Sequence, residues 1–97
     1  MTETNELIER VSKSLGVSPD TLVTGGVKEY LRAKRRAVRA EVHDIETRYN
    51  VKTPEELLDK IKKGTVEEHP AWEDLIIYEN LLRQTEKIQR ELNHISD

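Results

Sequence analysis

Cysteine and phenylalanine are absent from the 97 residues, and one tryptophan and three tyrosines are the only large aromatics. Without cysteine there is no disulfide, no thiolate nucleophile and no cysteine-based zinc site, which accords with a reducing compartment. With so few aromatics and 35% hydrophobic residues, the core must be thin and aliphatic, drawn mainly from leucine, isoleucine and valine. Long apolar runs are missing too: none approaches the roughly 20 residues that cross a bilayer, so no membrane partner is expected. The opening Met-Thr-Glu-Thr-Asn-Glu has neither the basic nor the apolar segment of a signal peptide, and a cytoplasmic location is expected. A large net charge is also lacking, since 16 Lys/Arg against 19 Asp/Glu leave −3. Leu, Ile and Val make up about a quarter of the chain, which at so small a net charge lies above the composition of disordered chains. Residues 1–97 should therefore fold as a single domain. A core this thin suffices when long helices stack lengthwise or when a second chain completes it.

The small total hides an uneven distribution. Residues 1–40 carry eight bases and five acids, a weakly basic N-terminal part. Residues 41–97 carry eight bases and fourteen acids, an acidic part suited to a different partner.

Leu7, Ile8, Val11 and Leu15 have helical spacing and stop at Gly16, a ready left-handed cap, which predicts a helix over about 4–15. Ser18-Pro19-Asp20 then supplies an N-cap, a proline at the first helical position and an acid in the first turn. The helix that starts there should run over about 18–49 and end at Asn50. Gly25-Gly26 is its weak point, costing about 1 kcal/mol per residue relative to alanine, and a kink, a break or a close helix contact is expected there. Val27, Leu31, Val38, Val42, Ile45 and Tyr49 fall within about 60° of arc, a narrow seam for lengthwise packing.

Thr53-Pro54-Glu55-Glu56 reads as a capping box, and Leu57, Leu58 and Ile61 give a short helix over about 54–63, closed by Gly64. A last helix over about 70–95 begins at Pro70. Its Leu75, Ile77, Tyr78, Leu81, Leu82, Ile88, Leu92 and Ile95 cover roughly 160°, more than one partner helix needs. Two neighbours, or one neighbour and another protein, would fill that arc. The expected fold is all-α: a long antiparallel helical hairpin, bridged by the short helix and preceded by the N-terminal one.

Catalytic chemistry finds no foothold in these residues. His43, His69 and His94 are scattered, so a converging metal site is not expected and solvent-facing histidines are the plainer reading. No phosphate-cradling glycine loop, His-Glu-x-x-His or Gly-x-Ser-x-Gly occurs. The carboxylate pairs Glu55-Glu56, Glu67-Glu68 and Glu73-Asp74 sit at helix starts, where the helix dipole favours negative charge, and capping explains them better than acid–base catalysis. No enzymatic activity, no metal and no cofactor are expected.

Two features do point to binding. Lys28, Arg32, Arg35, Arg36 and Arg39 share one face of the second helix over three turns, with Lys34 on the seam's other flank. A nucleic-acid backbone would lie along them. A solvated face pairing with neighbouring acids is the competing reading, favoured by the overall acidity and by the lack of interleaved aromatics. Trp72 lies off the main apolar arc, ringed by acids, and indoles are enriched among interface hot spots. Its plainer alternative is to fold back over Leu57 or Ile61. Ala33, Ala37 and Ala40 form a small-residue strip that either admits a close helix or is helix-favouring filler.

From Leu7 to Lys34 the run LIERVSKSLGVSPDTLVTGGVKEYLRAK resembles the two helices of ribbon-helix-helix proteins. The strand with which that family reads DNA has no counterpart here, because only Met1 to Asn5 precede the first helix. The later run YNVKTPEELLDKIKKGTVEEHPAWEDLIIYENLL resembles small prokaryotic helical proteins that act as the antitoxin halves of toxin–antitoxin pairs. The likeness implies a dimerising or DNA-contacting front joined to acidic helices that cover a small basic toxin, often an RNase. In that role Trp72, Leu75, Ile76 and Tyr78 would anchor the cognate toxin, while Glu67, Glu68, Glu73 and Asp74 complement its positive charge. Two alternatives stand beside it: a regulator that grips operator DNA through Lys28, Arg32, Arg35, Arg36 and Arg39, and a helical module that only self-associates as a homodimer.

Overall fold

The computed structural model describes residues 2–96. Four helices follow in chain order, α1 (Thr2–Leu15), α2 (Pro19–Tyr49), α3 (Pro54–Lys62) and α4 (Glu68–Ser96), with no strand among the described residues. Their boundaries are set by local chemistry. Gly16 and Gly64 take left-handed φ values of 69° and 71°, and Asn50 does so at 55°. The Ser18 hydroxyl accepts the Thr21 amide at 3.0 Å, and the Thr53 hydroxyl accepts the Glu56 amide at 3.1 Å. The expected capping box is displaced by one residue, because the Glu56 carboxylate accepts the amide of Lys52 rather than that of Thr53. His69 and Pro70 are non-helical, so regular α4 starts at Ala71.

The end of α2 is closed three times over. The Asn50 amide bonds back to Glu46 and Thr47, and the Val51 amide reaches the Glu46 carbonyl at 3.0 Å while its side chain enters the core. Lys60 of α3 then places its ammonium 2.7 Å from the Tyr49 carbonyl and 3.2 Å from that of Asn50, a cation on the negative end of the helix dipole.

The long helices run antiparallel. Asp74 near the start of α4 meets Arg48 and Tyr49 near the end of α2, and Gln89 meets Arg35. Between them the predicted seam is buried at Val38 and Ile45 and half-buried at Leu31, Val42 and Tyr49. Leu57 and Ile61 of α3 close the other side of α4 over Ala71, Leu75 and Tyr78. The wide arc of α4 is thus filled by two helices of its own chain, with Ile77 alone of its large members left half-exposed.

Of the kink, the break and the close contact expected at Gly25-Gly26, the break and the close contact are absent. Helix α2 is continuous from Pro19 to Tyr49, and a Cβ added at either glycine would touch nothing within 4 Å. The cost of two glycines is carried by the flanking turns, which α1 and α4 hold on either side.

The molecule measures 61 × 27 × 19 Å with a radius of gyration of 19.5 Å, against about 13 Å for a compact chain of this length. The elongation has a simple cause. Gln89 lies level with Arg35, so the seven residues from Arg90 to Ser96 carry α4 only about 10 Å further, towards residue 28 of α2. Beyond that level α1 and the first turns of α2 form a two-helix hairpin with no third layer. Among the described residues of α1 only Ser12 is buried, and its hydroxyl has no partner.

Candidate functional site

The outer face of α4 separates the residues expected to anchor a partner. Trp72 and Ile76, one helical turn apart, are 42% and 57% exposed and form an apolar pair on the surface. Leu75 and Tyr78 belong instead to the core: Leu75 is buried, and Tyr78 is 0% exposed with its hydroxyl donating to Glu46 at 2.7 Å. They lie on the arc that α2 and α3 cover and offer a partner no surface. The interior location and the Glu46 hydrogen bond push the Tyr78 hydroxyl well above the ordinary tyrosine pKa.

The acids divide in the same way. Glu67, Glu68 and Glu73 are exposed, and Glu73 holds His69 at 2.9 Å. Asp74 is committed to the fold. Its carboxylate accepts from Arg48 at 2.7 Å and from the Tyr49 hydroxyl, while Arg48 also reaches Asp44 at 2.6 Å. Burial, followed by the bond to Asp74, raises the Tyr49 pKa. This cluster bridges α2 and α4 and is not available to another protein.

The basic face of α2 is likewise partly spent. Arg32 pairs with Glu29 at 2.7 Å, and Arg35 turns towards α4, donating to Gln89 at 2.9 Å with its buried Nε unpaired. Lys28, Arg36 and Arg39 make no ion pair among the described residues. They span about 17 Å of helix.

His43, His69 and His94 stay apart and exposed, and no group of three metal-binding side chains occurs among the described residues. The Thr47 hydroxyl lies 3.4 Å from His43 Nε2, an exposed i,i+4 pair on α2 outside any of the surfaces described above.

One surface was missed from the sequence. Leu7, Ile8 and Val11 of α1 and Leu22, Val23, Gly26, Val27, Tyr30 and Leu31 of α2 line an open groove of about 450 Å³. Leu7 is 50% and Tyr30 66% exposed. The volume suits a small ligand, but two walls do not enclose one and the lining offers almost no polar group to orient it. The signal was present in the helical spacing of Leu7, Val11, Val23 and Val27; what the spacing did not reveal is that α4 stops short of covering them.

The chain belongs to the uncharacterized protein MJ0235 family, whose model matches residues 1–97. No curated protein and no solved structure matches it.

Proposed function

For this member of the family we propose a non-enzymatic role: it binds a basic protein partner on the outer face of α4, in the manner of an antitoxin that covers a small toxin. The observation that carries this reading is the exposed Trp72–Ile76 pair on a helix whose entry carries the exposed carboxylates of Glu67 and Glu68. A half-exposed indole with an aliphatic neighbour supplies desolvation energy, and the acids supply steering and orientation towards a cationic surface. The revised contact set is Trp72, Ile76, Glu67, Glu68 and Glu73, without the core residues Leu75 and Tyr78 or the committed Asp74. Gel filtration of the chain with the purified product of the adjacent reading frame should yield a complex at micromolar concentration. Trp72→Ala should weaken that complex at least ~30-fold, the effect of losing a hot spot of about 2 kcal/mol. Absence of a complex, or indifference to Trp72→Ala, would contradict the proposal.

A second reading rests on Lys28, Arg36 and Arg39, which no acid neutralises among the described residues. Three phosphate contacts would give a slope of about −2.7 in a plot of log affinity against log salt. No retardation of DNA at low salt removes this reading.

A further inference from the structure

The groove between α1 and α2 does not end at Tyr30. Along α2 the same face continues through Ala33, Ala37 and Ala40, all exposed, to the half-exposed Ile77 of α4 beside Ala40. At 100° per residue this face holds a single charged side chain from Leu22 to Ala40, Lys34 near its edge between Val23 and Val27, over about 27 Å of helix. The basic stripe lies on another side. Such a face on a soluble helix is uncommon, because an unpartnered surface helix is normally polar where it meets water.

The face has a graded profile. Its N-terminal half carries the large residues Leu22, Val23, Val27 and Tyr30, and its C-terminal half carries only alanines. We propose that it is the interface of a homodimer in which α2 of one copy packs antiparallel on α2 of the other. A two-fold axis near Tyr30 and Ala33 places the large half of each face on the small half of its partner, with Gly26 opposite Ala37. That arrangement is self-complementary in shape, as an isologous interface requires, whereas a parallel arrangement sets large against large and leaves alanine facing alanine.

Charge agrees with the antiparallel register. The face ends beyond Ala40 in Glu41, while the closed end of the α1–α2 hairpin carries Arg10 and Lys13; none of the three has an ion-pair partner among the described residues. The two-fold brings the acidic end of one copy to the basic end of the other. A face about 27 Å long and one to two helix diameters wide projects roughly 270–540 Å², and the exposed Leu7 of α1 beside it extends the apolar surface towards the roughly 800 Å² per partner of a standard stable interface. The need is plain: α1 buries no apolar side chain completely, and a 14-residue helix is marginal in water without tertiary cover.

This inference does not depend on the α4 reading, since Trp72 and Ile76 project at least a quarter of a turn away from Ile77 and remain free in the dimer. Sedimentation equilibrium of the full chain at about 50 µM should return twice the 11.3 kDa chain mass. Ala33→Glu sets two like charges across the axis and should raise the dissociation constant at least ~100-fold with helicity unchanged by circular dichroism. The cysteine-free chain permits a register test. Under oxidising conditions a mixture of Gly26→Cys and Ala37→Cys proteins should form the mixed disulfide, while Gly26→Cys alone should stay uncrosslinked. A monomer at 50 µM, a dimer indifferent to Ala33→Glu, or self-crosslinking of Gly26→Cys without the mixed product would overturn the proposal.

Discussion

Tyr78 and Asp74 show how single side chains decide which surfaces are spent on folding. The Tyr78 hydroxyl sits in the core and donates to Glu46 at 2.7 Å, so Tyr78→Phe should cost about 1–2 kcal/mol in chemical denaturation by losing a bond to a charged group. The same group sets the alkaline limit of stability. Its folded pKa is raised above the unfolded value of about 10, so its contribution is complete below that pH and is lost as pH rises towards the folded pKa. Tyr49, also raised, acts in the same direction. A denaturation series from pH 8 to 11 should therefore fall beyond pH 10, and fall less steeply in Tyr78→Phe. Asp74→Ala leaves the Tyr49 hydroxyl and one arm of Arg48 without their acceptor and should cost about 1–3 kcal/mol. Glu68→Gln, on an exposed acid, should leave stability within about 0.5 kcal/mol and act only on binding.

Helix boundaries were readable from the sequence because each depends on a few adjacent residues. Ser18-Pro19, Thr53-Pro54, Gly16, Asn50 and Gly64 all cap where local chemistry places them. The facing of each helix was harder, since it depends on register between distant segments. Leu75 and Tyr78 fall on an apolar arc that periodicity cannot divide between α2, α3 and an outside partner. The ties of Asp74 to Arg48 and of Arg35 to Gln89 link positions 26 and 54 residues apart. Glycines show the same contrast between local and distant causes. Gly25 is helical with open space at its Cβ, so Gly25→Ala should raise stability by about 0.5–1 kcal/mol. Gly64 holds φ at +71°, so Gly64→Ala should lower it by about 1–2 kcal/mol despite equally open space. Thermal melts of the two variants against the parent read both signs.

The elongated shape joins these details to function. Nearly all fully buried apolar residues lie in the body formed by the later part of α2 with α3 and α4, while the α1–α2 hairpin leaves its apolar side open. Thin composition thus becomes intelligible: the chain carries enough aliphatic side chains to fill one body and to present two further surfaces, the largely apolar face of α2 and the Trp72–Ile76 pair. Trp72 is the only indole, so its emission reports on the second of these surfaces alone. The most direct measurement is a titration of that emission with the purified product of the adjacent reading frame. A saturable blue shift at micromolar concentration or below, abolished by Ile76→Glu, is the predicted result. Emission that stays constant through a tenfold excess would contradict the assignment of α4 as a partner-binding surface.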